Sequence, residues 1–377
     1  MKMKLAFIFG TRPEIIKLSS LIRLCRKKKI DFFTVHTGQH YSHNMFKLFL
    51  KELELDKPDY TLDVKSKAPY RQGDHTGRMM VKLEHILLEE KPSVVLVQGD
   101  TNTTLAGALT ASKISTTRSF TGFNMRLGHV EAGLRSYDRS MPEEINRVMS
   151  DHLSDFLFAP TSRSKEIAVG EGISKNKISV TGNTIVDAMY HGLESGKNKI
   201  DILSEYGLKK DSYILLTLHR QENVDNRKRL IKILAGVEKV GKKHKMPVVF
   251  PIHPRTVKMF RVFDIKPHEC IRVVEPCSFL GFLQLESSAR LILTDSGGVQ
   301  EESCVLRVPC VTLRTTTERP EAVDIGANVI AGTDSRSIFD SAEIMLDKKR
   351  KWSNPFGNGN AAGKIIEKLK KSTRERP

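Results

Sequence analysis

The chain has 377 residues, 39% of them hydrophobic and 28% charged, with a formal net charge of +17. That length suits two domains better than one core, and the composition excludes a disordered chain. No apolar run approaches membrane-spanning length, and five scattered cysteines without C-x-x-C spacing look like the thiols of a reduced cytoplasm rather than a disulfide framework.

The elements follow in chain order. "LAFIF" at 5–9 reads as a first strand, not a signal peptide, because it runs straight into "GTRPE". Helical spacing over 15–28 leads to a strand at "FFTVH" 32–36, and a helix over 77–90 leads to "VVLVQ" 94–98. A helix over 103–113, the strand "RLGHV" 126–130, a helix over 142–153 and the strands "DFLFA" 155–159 and "ISVT" 178–181 complete this half. Short apolar strands alternating with helices predict a parallel sheet covered on both faces. The stretch 195–212 is polar and reads as a connection. Alternation restarts with strands at 213–218, 248–252, 271–274, 291–294, 310–313 and 328–330, and 361–371 has helical spacing. The prediction is an α/β chain of two doubly wound, Rossmann-like domains facing a cleft. They span 1–195 and 196–356, with a C-terminal segment 357–377 crossing back to the first.

In such sheets ligands bind beyond the carboxyl ends of the strands, so the residues just after each strand carry the information. "FGTRPEIIK" is neither a dinucleotide fingerprint nor a P-loop. It places Arg12 in a strand–helix turn, with Lys17 one helical turn further on; the rival reading of Arg12 is a surface turn residue. In "VQGDTNTT", Asp100 is equally a helix cap or an acid–base group. In "GHVEAGLRSYDRSMPEEINR", Glu131 follows a buried strand and is expected either to pair with Arg135 or to be held for chemistry. Ser140 and Glu143 fit a capping box, and Glu143 with Arg147 fits an i,i+4 pair, so a structural role for Glu143 rivals a chemical one.

"LTLHRQEN" places His219 and Arg220 at a strand end. "LTDSGGVQEE" reads as strand, turn and helix start, where the amides of Ser296, Gly297 and Gly298 form a cradle for phosphate. Around that cradle stand Asp295, Glu301 and Glu302 rather than a lysine. "TTTERPE" adds Arg319 and Glu321. Cations and amides would hold a diphosphate, with Arg135 and Arg147 counted among the substrate-binding cations. Carboxylates do not help to bind an anion, so proton transfer or binding of ribose hydroxyls is expected of them. No cluster has metal-ligand spacing, so neither a metal nor a nicotinamide cofactor is expected. The positive excess fits a solvated basic surface or a polyanion partner. With a single Trp and no nucleic-acid motif, a nucleic-acid partner is not expected, nor is a membrane.

Taken together, "GTRPEIIK", "QGDT", "GHVEAGLR", "MPEEINR", "GNTIVDA", "LTLHRQEN", "LTDSGGVQEE" and "TTTERPE" resemble the non-hydrolysing UDP-N-acetylglucosamine 2-epimerases. The resemblance runs from Leu5 to about Gly363. It implies a glycosyltransferase-B type fold, a homodimer, no NAD or metal, and a UDP-sugar substrate. The reaction implied is reversible epimerisation at carbon 2: UDP is eliminated to give 2-acetamidoglucal and then added back. By motif match, Asp100, Glu131 and Glu143 are implied as the catalytic carboxylates, and His219 as the group neutralising the leaving phosphate. Arg12, Ser296, Gly298 and Glu302 are implied as UDP ligands, with Lys17 and Arg319 lining the cleft. Alternatives are an epimerase of a UDP-2,3-diacetamido sugar acid, a hydrolysing relative, and a glycosyltransferase or UDP-sugar-binding module. Two features depart from the family pattern. The stretch 115–126 is longer. The spacing around Arg71 and Gln72 differs, which bears on a second, regulatory substrate site that Gln39 and His40 would share.

Overall fold

The computed structural model describes residues 3–38, 49–64, 71–117, 122, 124–139, 141–196 and 201–374. The chain divides into two compact units, Met1–Tyr190 with Phe356–Pro377, and His191–Pro355. The division falls within the helix Thr184–Gly196.

The first unit carries seven parallel strands: β1 (Lys4–Phe9), β2 (Asp31–His36), β3 (Tyr60–Thr61), β4 (Val94–Gln98), β5 (Arg126–Val130), β6 (Phe156–Ala159) and β7 (Ile178–Val180), in the order β3-β2-β1-β4-β5-β6-β7. Their near-continuous Val, Leu, Ile and Phe content follows from burial on both faces. In β4 every residue is buried, and in β1 all but the first. The helix Gln72–Glu90 contributes Met79, Leu83 and Leu87 at a spacing of four, one stripe packed with Ile8, Val35 and Val97. Each such fully buried side chain contributes about 1.5–3 kcal/mol. The helix Ala361–Arg374 belongs to this unit. It buries Ile365, Ile366 and Leu369, and its first N–H groups, from Ala361 and Ala362, donate to the Asp187 carboxylate.

The second unit carries six parallel strands: β8 (Ile214–Thr217), β9 (Val248–Pro251), β10 (Ile271–Val274), β11 (Leu291–Thr294), β12 (Cys310–Thr312) and β13 (Asn328–Ile330), in the order β10-β9-β8-β11-β12-β13. The helix Arg227–His244 buries Leu230, Ile233, Leu234, Val237 and Val240 along one stripe against this sheet's core.

Two elements are not expected from the sequence. β3, only two residues long, lacks the length for a readable pattern. The polar connection at 195–212 contains a short helix, Ile202–Glu205, capped by Asp201, whose side chain accepts from the Ser204 N–H. In each unit the strand order reverses once, between β1 and β4 and between β8 and β11. A crevice opens at such a reversal because successive crossovers go to opposite sides.

Candidate active site

At the reversal in the first unit, the turn after β1 and the turn after β4 are tied together by Glu14. Its buried carboxylate accepts from the N–H groups of Gly10 (3.0 Å) and Thr11 (2.7 Å) and from the Thr101 hydroxyl (2.7 Å). Burial pushes this carboxyl above its ordinary value, and those hydrogen bonds oppose the shift. Arg12 opens the helix Arg12–Lys27, half-buried, its guanidinium 5.5 Å from the Phe49 ring.

Asp100 follows β4. It does not cap the next helix: Thr101 does, accepting from the Thr104 N–H. The Asp100 carboxylate instead receives both Nε (3.0 Å) and Nη2 (2.6 Å) of Arg147, and its carbonyl accepts from the Asn146 amide (2.9 Å). Glu131 follows β5 with φ of +70°, a left-handed conformation rare for a side chain larger than glycine. Backbone held there costs about 1–3 kcal/mol and marks functional sites. Glu131 N–H and Ala132 N–H both donate to the Phe158 carbonyl, which holds the turn. Gly133 then passes so close to the Ser164 carbonyl that a Cβ would lie 2.2 Å from its oxygen.

The expected pairing of Glu131 with Arg135 is not what forms. The buried Glu131 carboxylate takes the Lys17 ammonium (2.5 Å) and the Gln98 side-chain amide. Arg135 is spent on Asp151 (2.7 Å) and Glu171 (2.6 Å), its side chain only 1% exposed, which takes it out of reach of a substrate phosphate. Arg147 pairs with Asp100 and with Glu144 rather than with Glu143. The helix Pro142–Leu153 is capped at Met141, not at the expected Ser140, which lies outside the described residues. Glu144 therefore occupies the third helical position, accepting from the Ser136 and Tyr137 N–H groups, while Glu143 is half-buried with no hydrogen-bond or ion-pair partner among the described residues.

In the second unit, β8 is followed after Leu218 by His219 and Arg220, whose N–H groups both donate to the buried Asp295 carboxylate. Asn223 adds its amide to the same carboxylate (3.2 Å). The first carboxylate of the expected cradle thus serves to fix the His219 turn. The His219 side chain is 36% exposed, with the His253 ring at 5.4 Å. Ser296 stands at the N-cap position of the helix Gly297–Leu306 but its side chain makes no cap hydrogen bond, which leaves the first N–H groups without intrahelical partners. Gly297 lacks a side chain for a reason internal to the protein, since a Cβ would meet the Glu318 carboxylate at 2.3 Å. Gly298 faces open space, with only the Ser296 hydroxyl 3.9 Å from a Cβ position, so nothing within the protein requires a glycine there.

Arg319 is expected among the substrate-binding residues that line the cleft. It is buried and its Nε lies 2.6 Å from the Glu301 carboxylate, which accounts for the second carboxylate of the cradle. Glu302 is half-buried beside the fully buried Glu286, whose carboxyl is driven well above its ordinary value by burial and then by the Glu302 charge.

Sequence reasoning missed Gln98, Glu144, Asn146, Asp151, Glu286 and Glu318. Gln98 alone left a signal, a polar residue ending an otherwise apolar strand. Of the proposed regulatory pair positions, Arg71 and Gln72 are exposed at the start of the helix Gln72–Glu90, while Gln39 and His40 lie outside the described residues. So do 118–121 and 123 of the longer stretch 115–126. Among the described residues, no group of three or more His, Cys, Asp and Glu is placed to hold a metal ion.

A family model described as UDP-N-acetylglucosamine 2-epimerase matches residues 23–370. A UDP-N-acetylglucosamine 2-epimerase of Methanocaldococcus jannaschii is 50% identical over 373 residues, covering 97% of this chain and 99% of the relative. A UDP-2,3-diacetamido-2,3-dideoxy-D-glucuronate 2-epimerase of Pseudomonas aeruginosa is 38% identical, covering 98% of this chain and all of the relative. Among solved structures, the Methanocaldococcus jannaschii UDP-GlcNAc 2-epimerase in complex with UDP-GlcNAc and UDP matches with a TM-score of 0.89 at 50% identity, over 98% of this chain and 100% of that one.

Proposed function

The chain belongs to the UDP-N-acetylglucosamine 2-epimerase family, and we propose that it interconverts UDP-N-acetylglucosamine and UDP-N-acetylmannosamine by elimination and re-addition of UDP. The hydrogen on carbon 2 is not adjacent to a carbonyl and becomes acidic only as UDP leaves carbon 1. A carboxylate takes that proton, the C2–H electrons form the C1=C2 bond of 2-acetamidoglucal, and the C1–O pair departs with UDP. Return of UDP oxygen to carbon 1, with a proton delivered to the other face of carbon 2, gives the epimer.

Asp100, Glu131 and Glu143 are assigned the proton transfers, and His219 the leaving phosphate. Arg12, Ser296, Gly298 and Glu302 are assigned to UDP. Lys17 and Arg147 act through the carboxylates they hold, Glu131 and Asp100, rather than on the substrate. One observation carries this reading. Glu131 is buried, held in a left-handed conformation, and gripped by Lys17 and by Gln98 from the end of β4, two residues before Asp100. Glu54, Asp211 and Asp264 are left-handed too but exposed; Glu131 is the left-handed carboxylate that is also buried, where a charge must be held by partners.

The test is incubation of the protein with UDP-N-acetylglucosamine in heavy water without added cofactor. Deuterium at carbon 2 of both sugar nucleotides, with UDP-N-acetylmannosamine appearing, is expected. Substrate free of deuterium with no epimer would remove the proposal. Free N-acetylmannosamine as chief product would move the chain to a hydrolysing reaction.

We also propose a homodimer formed through the first unit, in the cytoplasm. Ile145 and Met149, one turn apart on the helix Pro142–Leu153, are 50% and 41% exposed, as expected of side chains that a second copy covers. A monomer by light scattering at assay concentration would end the dimer proposal. Among the described residues, no helix is long and apolar enough to cross a membrane.

A further inference from the structure

His129 lies in β5, two residues before Glu131, and is completely buried. Its Nδ1 is 2.7 Å from the Asp151 carboxylate, and its Nε2 is 2.8 Å from the Gly99 carbonyl oxygen. Gly99 in turn donates its N–H to the Val130 carbonyl (3.1 Å) and immediately precedes Asp100. Asp151 is on the helix Pro142–Leu153, which also carries Glu143, Glu144 and Arg147. One ring is therefore bonded to the turn that bears Asp100 and to the helix that bears Glu143, from within the strand that bears Glu131.

A carbonyl oxygen only accepts, and so does an ionised carboxylate. The Asp151 carboxyl is held below its ordinary value: burial opposes this, and the hydrogen bonds and charges of His129 and Arg135 outweigh burial. Each ring nitrogen of His129 thus faces an acceptor, and a ring with a hydrogen on each nitrogen satisfies both. A neutral ring would set one nitrogen lone pair against an acceptor, the Gly99 oxygen at 2.8 Å in one tautomer or the Asp151 carboxylate at 2.7 Å in the other. The charged ring is tolerable in the interior because the cluster closes on itself. Asp151 accepts from His129 on one oxygen and from Arg135 and the Gly133 N–H on the other, and Arg135 continues to Glu171. His152, half-exposed, lies 3.9 Å from Glu171 on the same side. Two cations and two anions balance, as a buried cluster requires.

We propose that His129 is a positioning residue for the epimerisation: as an imidazolium it holds the Asp100 turn in register with Glu131 and with the helix of Glu143. The proposal rests on the assignment of those three carboxylates under the proposed function. His129 touches no substrate atom in this scheme and acts through the Gly99 carbonyl.

Two substitutions separate its two bonds. The amide of His129→Asn reaches the place of Nδ1 and keeps the Asp151 side, whereas that of His129→Gln reaches the place of Nε2 and keeps the Gly99 side. Positioning of Asp100 predicts that His129→Asn lowers kcat by about tenfold to a hundredfold, the scale of a small misplacement of reacting groups, with KM and UDP affinity unchanged. His129→Gln should restore a large part of that loss. Wild-type kcat in a folded His129→Asn, equal loss in both variants, or a change in KM alone would each overturn the proposal. If neither variant folds, nitrogen-15 NMR of the wild-type ring decides: two protonated nitrogens sustain it, and one unprotonated nitrogen overturns it. Wild-type protein that neither epimerises nor exchanges carbon-2 hydrogen would instead refute the proposed function, and the ring nitrogens would still report on the hydrogen bonds.

Discussion

Glu143 separates two ideas, of which its local spacing slightly favours the structural one. As a helix cap, its loss should destabilise the protein and spare the chemistry; as an acid–base group, the reverse. The helix is capped at Met141, so Glu143 stands at the second helical position, half-buried, with no partner among the described residues. The interaction left to Glu143→Gln to remove is that of a carboxylate with the helix N-terminus, about 0.3–1 kcal/mol. For a unit of this size that is a fall in Tm of no more than about 4 °C. Loss of a general acid or base lowers kcat by about 10²–10⁴, equivalent to about 2.7–5.4 kcal/mol of barrier.

Its neighbour is the control. Glu144 accepts from the Ser136 N–H (3.0 Å) and the Tyr137 N–H (2.8 Å) and pairs with Arg147 (2.5 Å), all in a buried setting. Breaking such a pair costs about 3–5 kcal/mol, so Glu144→Gln should melt at a clearly lower temperature. Epimer formation followed by proton NMR and melting followed by calorimetry give both quantities for both variants. A Glu143→Gln protein that melts as low as Glu144→Gln while turning over at the wild-type rate would refute the reasoning.

Glu131→Gln should abolish turnover and, by removing the anion beside the buried Lys17 ammonium, cost about 3–5 kcal/mol; adding Lys17→Met should recover stability by calorimetry without recovering activity. Gly297→Ala forces a methyl group against the Glu318 carboxylate and should destabilise the fold by about 1–3 kcal/mol. Gly298→Ala should instead melt like wild type and bind UDP about tenfold more weakly, near 1.4 kcal/mol by titration calorimetry; an unchanged affinity would take Gly298 out of the site. Glu286, buried beside Glu302, has its carboxyl raised above the ordinary value of 4.5. For a raised acid, the stability tied to the protonated form is present below that ordinary value and is lost as pH rises through the folded-state value. Glu286→Gln should therefore outlast wild type by a margin that widens as pH rises from 4.5, reaching about 1–3 kcal/mol; parallel Tm-against-pH curves would contradict this.

The strands were legible because their signal is local. "VVLVQ", "RLGHV", "IRVV", "LILT" and "NVI" occupy the bounds read from the sequence. A doubly covered parallel strand must be apolar throughout, and the turns that end it must contain small or polar residues. β3 was missed because two residues carry no periodicity. The candidate site was legible as a set of positions, since a parallel sheet brings the ends of its strands to one edge whatever their order in the chain.

What the sequence by itself determined, then, is which segments become strands and helices and which side chains stand at the strand ends. Those follow from hydrophobic period and turn chemistry within a few residues. The partner of each charge was decided only by the tertiary structure. Arg135 is four residues from Glu131 but pairs with Asp151 and Glu171, while Lys17, 114 positions away, takes Glu131. Arg147 passes over Glu143 for Glu144 and for Asp100, 47 positions away. A side chain on a strand end points where the strand order sends it, and a buried charge pairs with whichever opposite charge shares its pocket. Sequence spacing encodes neither.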